Sequence, residues 1–558
     1  MITPDDDATI GHTFEACAQR FADRPFLAVP ANPARAYHPA GHELSYADAA
    51  TAVRALMARY AAAGYGLGHR VSLLLENRPE HLLHKLAMNA LGICCVPLNA
   101  DHRPREMAYV LDHAQVDLVI VVGTLQGLLQ AALAAATHQP AVALLGEAAE
   151  WPRAAVPAAS TTPSAQTPAS VLYTSGTTGR PKGCVLSHRY ELEAGRWYAT
   201  AGGLARFHDA SDRIYNPLPL FHVNASILSF YCAMLRGNCQ VQTDRFSPTR
   251  WWAEVIESRA TVVHYLGVVV PLLLVQPPGP LDRSHRVRFA IGAGVDPQRH
   301  AEFEQRFGFP LVELWGMTEM VRAIIDSHAP RQVGTRAFGR ARPGLEVRIA
   351  DDSDHDLPDG RPGEMLVRHS AATPRRDFFS GYLDDPAATE QAWRGGWFHT
   401  GDIVTRAPDG LLHFIDRRKN IIRRSGENIA AAEVEAVLQA HPLVEQAAVL
   451  AVPDELREEE VLACVVLRRD ACSDGRNEGR NEGQSDPAAA VQALFAHCMA
   501  ELAYFKAPGW LMLVDSIPTT STQKVQKHQL FEPGIDPRQL PGMIDLRALK
   551  RRDTPARG

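Results

Sequence analysis

No run in these 558 residues is apolar for long enough to cross a bilayer. The opening Met1-Ile2-Thr3-Pro4-Asp5-Asp6-Asp7 is acidic and lacks the basic, then apolar character of a secretory signal. Basic charge is not in excess: the net charge is −6 and the pI near 6.4, which excludes a general pull toward nucleic acid or an anionic membrane. Cysteine is scarce and unpaired. Nine are scattered with no Cys-x-x-Cys spacing, which argues against a disulfide framework and for reduced thiols in a cytoplasm. Adjacent Cys94 and Cys95 lie in the apolar run Leu91 to Pro97 and read as buried strand residues, not a redox pair. A Gly-x-Ser-x-Gly nucleophile elbow is also missing.

Hydrophobic residues at 46% and charged ones at 22% are those of an ordinary globular protein, and the length calls for two or more domains. Helical patterns alternate with short apolar runs. Ala49 to Ala63 and Pro79 to Leu91 read as helices; Arg70 to Leu75, Ile93 to Leu98 and Val116 to Val122 read as strands. That alternation predicts an α/β architecture with mainly parallel sheets. The stretch Ala154 to Pro168 reads as a surface loop. A second compositional unit begins near Asp416. It has helices over Ile429 to Gln439 and Pro487 to Leu502, and strands over Ala447 to Val452, Leu462 to Leu467 and Leu511 to Val514. Between them the repeat Gly475-Arg476-Asn477-Glu478-Gly479-Arg480-Asn481-Glu482-Gly483 carries no apolar residue and predicts a disordered insert over about 473–486. The tail after Arg547, with Lys550-Arg551-Arg552, is expected to fray.

The richest segment is Thr174-Ser175-Gly176-Thr177-Thr178-Gly179-Arg180-Pro181-Lys182-Gly183. Glycines let backbone N–H groups close on an anion, and the hydroxyls and cations add donors, so the loop suits a polyphosphate. It is not a mononucleotide P-loop, because Gly179 is followed by Arg180 instead of Lys, and its glycines do not fit Gly-x-Gly-x-x-Gly. The order Tyr-Thr-Ser-Gly-Thr-Thr-Gly-x-Pro-Lys-Gly resembles the signature of the AMP-forming adenylating superfamily. That group includes acyl-CoA synthetases, peptide-synthetase adenylation domains and luciferase.

Further segments resemble that family in its own order, from about Thr13 to Leu530. By the resemblance, Trp315 in Leu314-Trp315-Gly316-Met317-Thr318-Glu319 packs by adenine with Gly316, Thr318 reaches phosphate, and Glu319 helps hold Mg²⁺, as a hard oxygen ligand can. Asp402, in Gly396 to Asp402, accepts from the ribose hydroxyls. In the basic stretch from Phe414 to Asn428, Arg417 contacts ribose or phosphate, Lys419 sits at the hinge, and Gly426 with Arg423 lines the passage for CoA. Lys524 occupies the register of the catalytic lysine, with Gln523 where the family usually has Gly. By the same resemblance His222, in Pro217 to Asn224, gates the carboxylate site; a core or capping histidine is the other reading. Gly292-Ala293-Gly294 floors the acyl and adenine pockets, with the unusual Val295-Asp296 following.

The resemblance implies a large N-terminal ATP- and acyl-binding domain over 1–416, built of stacked mainly parallel sheets with helices. A small mobile α+β lid domain over 417–558 would carry Lys524, with the hinge near 416–419. The implied reaction joins a carboxylic acid to ATP as acyl-AMP with release of pyrophosphate, then transfers the acyl group to CoA. Two other readings stay open: a stand-alone enzyme loading a carrier protein, although no carrier-type Gly-Gly-x-Ser follows, and a catalytically silent nucleotide-binding protein. The expected partners are the acid, ATP, CoA and Mg²⁺, with a homodimer admitted and no nucleic acid. Leu220-Phe221-His222, Val275-Gln276-Pro277-Pro278 and Asp416-Arg417-Arg418 resemble the carnitine/crotonobetaine-CoA ligase-like branch. A quaternary ammonium would want an aromatic cage, for which Phe221, Tyr265 and Trp315 are the candidates.

Overall fold

A computed structural model describes residues 1–147, 150–174, 181–424, 427–454, 457–468, 487–519, 525–532 and 534–550. The chain divides into two compact units. One comprises Met1–Arg348, Leu366–Thr400 and Arg406–His413; the other comprises Ile349–Met365, Gly401–Thr405 and Phe414–Gly558.

The first unit holds two large sheets. The strands of one run in the order Gly381–Tyr382, Lys182–Ser187, Pro168–Thr174, Cys94–Pro97, Arg70–Leu74, Leu118–Val121, Ala141–Leu144. From Pro168–Thr174 onward they are parallel, and the first two pair antiparallel. The inner strands are unbroken apolar runs: every residue of Leu118–Val121 is fully buried, as expected where both faces of a parallel sheet are covered. Cys94 and Cys95 sit buried in this sheet, where burial pushes both thiols up to about 12. The other sheet has eight strands, parallel in its interior and antiparallel at its two edges, and its Leu311–Met317 strand turns back as Met320–Ile325. Helices connect the strands where local chemistry starts them. Tyr46–Ala62 opens on a capping box between Ser45 and Asp48, Pro79–Ala90 opens on a proline, and Asp296 caps Pro297–Phe307.

In the second unit the strands Glu427–Ala430, Ile421–Arg424, Glu458–Leu467, Trp510–Leu513 and Met543–Asp545 lie side by side in that order, and Val444–Asp454 pairs with Glu458–Leu467. The helices Ala431–Ala440 and Pro487–Glu501 cover a core that includes Ile422, Ile429, Leu438 and Leu494. Two expectations change here. The helix expected from Ile429 begins only at Ala431, because Ile429 is buried opposite Ile422 in a hairpin. The tail after Arg547 does not fray at once: Lys550 is fully buried, its Nζ 2.7 Å from Glu460. Glu460 also holds Arg424 at 2.8 Å, so one carboxylate draws both cations inward. The Gly-Arg-Asn-Glu repeat lies outside the described residues. Among the described residues, no helix is long and apolar enough to cross a membrane, and eight cysteines are buried and unpaired.

Candidate active site

Two antiparallel strands flank the 174–183 segment. Strands Pro168–Thr174 and Lys182–Ser187 pair so that Thr174 stands opposite Lys182. Ser175, Gly176, Thr177, Thr178 and Gly179 lie outside the described residues, but the two ends of the loop are described and firmly held. One helix, Pro104–Ala114, grips both. Tyr109 donates its hydroxyl to the Pro181 carbonyl at 3.0 Å, and His113 Nδ1 meets the Tyr173 hydroxyl at 2.8 Å. These residues are four apart and so share a helix face, their rings stacked 5.3 Å apart.

On the other edge of Lys182–Ser187 lies Gly381–Tyr382, paired with Cys184 and Val185. Tyr382 meets two groups singled out in the sequence. Lys182 Nζ lies 4.8 Å from its ring centroid, and its hydroxyl donates to Glu319 Oε1 at 2.9 Å. Glu319 is 7% exposed, in the turn of the hairpin between Leu311–Met317 and Met320–Ile325. Tyr190 donates to the Thr318 carbonyl at 2.7 Å, and the Phe379 N–H donates to the Glu319 carbonyl at 3.1 Å. A cavity of about 110 Å³ opens beside Lys182, bounded by Tyr109, His113, Tyr382 and Asp385.

A buried carboxylate absent from the sequence reading ties the next pieces together. Glu313 begins the approach to Trp315 and accepts from the Tyr265 hydroxyl and from the N–H groups of Gly294 (3.0 Å) and Val295 (3.3 Å). Burial pushes the Glu313 carboxyl up, and these donors oppose that. Gly292 sits so close to the neighbouring strand that a Cβ would lie 2.2 Å from the Tyr265 carbonyl oxygen, which only glycine permits. The unusual Val295-Asp296 has a local purpose: Val295 donates to Glu313, and Asp296 caps the following helix.

The Pro217–Asn224 segment is pinned by Asn77, which donates to the Leu218 carbonyl at 3.1 Å and accepts from the Leu220 N–H at 2.9 Å. His222 is exposed, its carbonyl taking the Ser226 hydroxyl at the start of a π-helical turn over Asn224–Leu228. π-helical turns are frequent at functional sites. Behind it the Asn224 side-chain oxygen meets His264 Nδ1 at 2.8 Å and Asn216 Nδ2 at 3.0 Å. Burial drives His264 down to about 3, so it stays neutral. Of the three cage candidates, Tyr265 is 2% exposed and committed to Glu313, Phe221 packs on His222, and Trp315 lies near Phe338.

Within the second unit, Asp402 is fully buried and its Oδ1 lies 2.7 Å from Arg417 Nε, so those two come together. Asp416, next to Arg417, accepts from the N–H of Ala432 and from the amide of Asn420. Gly426 and Lys524, and the side chains of Lys419 and Arg423, lie outside the described residues, as does Gln523.

Residues 14–383 match the model of the AMP-binding enzyme, and 433–524 that of the AMP-binding enzyme C-terminal domain. The chain is 30% identical to the sulfoacetate–CoA ligase of Cupriavidus necator, over 92% of this chain and 96% of that one. It is 29% identical to the crotonobetaine/carnitine–CoA ligase of Salmonella typhimurium strain LT2, over 88% of this chain and 93% of that one. The fold matches the crystal structure of ATP-bound MatB from Rhodopseudomonas palustris with a TM-score of 0.74 at 24% identity, over 93% of this chain and 98% of that one. The chain belongs to the AMP-binding enzyme family and is an adenylate-forming ligase.

Proposed function

We propose that the chain is an ATP-dependent acid–thiol ligase acting on a short, polar carboxylic acid with CoA as acceptor. A carboxylate is a poor electrophile because its leaving group would be oxide. Attack of its oxygen on the α-phosphorus of ATP breaks the bond to pyrophosphate and leaves a mixed anhydride. The CoA sulfur then attacks the acyl carbon, AMP departs, and the thiol proton passes to solvent. The observation that carries this reading is the convergence of Lys182 and Glu319 on Tyr382 at the mouth of the 174–183 loop.

In this reading the loop residues Thr174 to Gly179 and Lys182 neutralise the phosphates, Thr318 reaches phosphate, and Trp315 with Gly316 flanks adenine. Asp402 and Arg417 address the ribose. Lys524 stabilises the charge built up during adenylation, Lys419 is the pivot between 1–416 and 417–558, and Gly426 with Arg423 lines the CoA passage. His222 gates the carboxylate. Glu319 fits Mg²⁺ arriving with ATP: it is a hard oxygen donor, and Mg²⁺ takes one or two carboxylates plus substrate phosphates in place of an all-protein cage. When bound, the metal adds charge neutralisation at the phosphates.

Both named relatives act on short acids, one bearing a sulfonate and the other a quaternary ammonium. An aromatic cage for the ammonium is disfavoured here by the burial of Tyr265 in the core. Release of pyrophosphate and formation of thioester, measured with sulfoacetate, carnitine, acetate and benzoate, tests the reading. Pyrophosphate release with a short polar acid and CoA-dependent thioester are expected. Release without thioester would favour a different acceptor, and no release with any acid would overturn the ligase reading.

A further inference from the structure

Tyr382 lies outside the segments singled out in the sequence, yet its side chain is where two of them meet. We infer that Tyr382 is a positioning residue, holding the Lys182 ammonium against its ring and the Glu319 carboxylate against its hydroxyl so that both are aimed at MgATP. The inference rests on the reading that Lys182 and Glu319 face the nucleotide.

Its backbone shows why the side chain is so placed. Segment 379–383 is stitched to both partners at once: the Ser380 and Leu383 N–H groups donate to the carbonyls of Val185 and Gly183 at 2.8 Å, and the Phe379 N–H donates to the Glu319 carbonyl at 3.1 Å. The Tyr382 N–H is taken by Thr389 Oγ1 at 2.9 Å, and its ring packs 4.8 Å from that of Phe379. The backbone beneath the ring cannot shift without disturbing the strand that carries Lys182 or the turn that carries Glu319.

The chemistry suits the task. An ammonium and a carboxylate sharing a half-buried site attract strongly, and direct pairing would withdraw both from an incoming phosphate and metal. A phenol gives each a different partner, a π face for the cation and an O–H for the anion, and neither partner is itself charged. Phenylalanine would keep the ring and lose the donor; leucine would lose both.

Equilibrium dialysis of ATP against the full-length chain over a series of MgCl₂ concentrations separates these contributions. In Tyr382→Phe, the MgCl₂ required for half-maximal ATP binding should rise about tenfold, since a hydrogen bond to a charged group is lost. Binding of AMP without metal should change by less than about twofold, because AMP lacks the β- and γ-phosphates that bring the metal. Tyr382→Leu should weaken ATP further even at saturating MgCl₂, through the lost face beneath Lys182. Glu319→Gln is the reference, expected to raise the MgCl₂ requirement at least as far. If Glu319→Gln shifts that requirement and Tyr382→Phe does not, the role of Tyr382 is overturned and that of Glu319 survives. If neither shifts it, the Glu319 reading falls and takes the inference with it. Equal weakening of ATP and AMP in Tyr382→Phe would mark a purely structural residue and also overturn the inference.

Discussion

In the first unit several buried histidines stay neutral. Burial drives His81 and His264 down to about 3 and His84 and His188 to about 4. Their contacts are to neutral groups: His188 Nδ1 accepts the Ile10 N–H at 3.1 Å, His84 Nδ1 meets the Tyr60 hydroxyl at 2.8 Å, and His264 meets Asn224. Its buried ion pairs include Lys85 with Glu191 at 2.9 Å, and Asp377, which is shared by Arg322 at 2.6 Å and by Arg189. In the second unit the burial is of charge in excess. Arg424 and Lys550 share Glu460, and Lys550 is pushed down to about 8 by the loss of water. Beside the 174–183 loop the Pro181 carbonyl and Glu319 are likewise held by neutral donors from Tyr109 and Tyr382, whereas the second unit pairs Asp402 with Arg417. The contrast separates two tasks. Neutral donors hold groups beside the 174–183 loop without adding charge there, whereas buried charge helps to fix the geometry of the second unit.

The largest effect expected across that contrast is catalytic. Lys524→Ala, in the second unit, should lower pyrophosphate release by about a hundredfold or more, the scale of losing one transition-state donor. Thioester formation from supplied acyl-adenylate should largely survive. Equal loss in both half-reactions would mean that the second unit does not bring a dedicated lysine to adenylation. Next in size is the charged core. Glu460→Gln leaves two buried cations without their carboxylate and should cost about 3–5 kcal/mol of stability, read from denaturant unfolding of the full chain. A loss near zero would show that the cluster is solvated in practice and would remove the contrast between the units.

Acid probes the histidines. Each stays neutral in the folded chain down to about 3 or 4 but takes up a proton near 6.5 when unfolded. The unfolded state therefore binds more protons between those values. The contribution is fully present above about pH 6.5 and is lost as pH falls through that window, by up to about 1.4 kcal/mol per histidine per pH unit. His264→Gln should flatten the fall of stability between pH 7 and pH 5 by about one histidine's share, measured by urea unfolding at each pH. An unchanged slope would show that His264 titrates without regard to burial.

How much of this the sequence carried depended on distance along the chain. The loop 174–183 and the Trp315–Glu319 segment were legible because their chemistry is contiguous, and the parallel sheets because buried strands such as Leu118–Val121 are uninterrupted apolar runs. Tyr382, Glu313, Tyr109 and His113 were not, since each is ordinary in its own neighbourhood and acquires meaning only from a partner far off in sequence. Tyr109 and His113 did carry a faint signal in their spacing of four on a helix, but nothing named the face that they turn to the loop. Lys550 read as a frayed tail because a burying carboxylate ninety residues away is invisible to local composition. The pairing of Ile421–Arg424 with Glu427–Ala430 was masked by the five cations over 417–424, two of them within it, which hide the apolar pair Ile422 and Ile429.

The smallest effect tests whether the loop is scaffolded by neutral contacts alone. Tyr109→Phe removes the donor to the Pro181 carbonyl and keeps the ring stacked on His113. One neutral hydrogen bond is worth about 1 kcal/mol, so the KM for ATP should rise about fivefold with little change in kcat. Because neither partner is charged, the ratio of variant to parent KM should be the same at low and high ionic strength, whereas a charge-based anchor would weaken with salt. A salt-dependent ratio would show that Tyr109 acts through the field around Lys182, and the first unit's scaffold would then be electrostatic after all. A fall in kcat with KM unchanged would place the loop's anchoring in the transition state instead of the ground state, which would make the Pro104–Ala114 helix part of the adenylation chemistry and not only its frame.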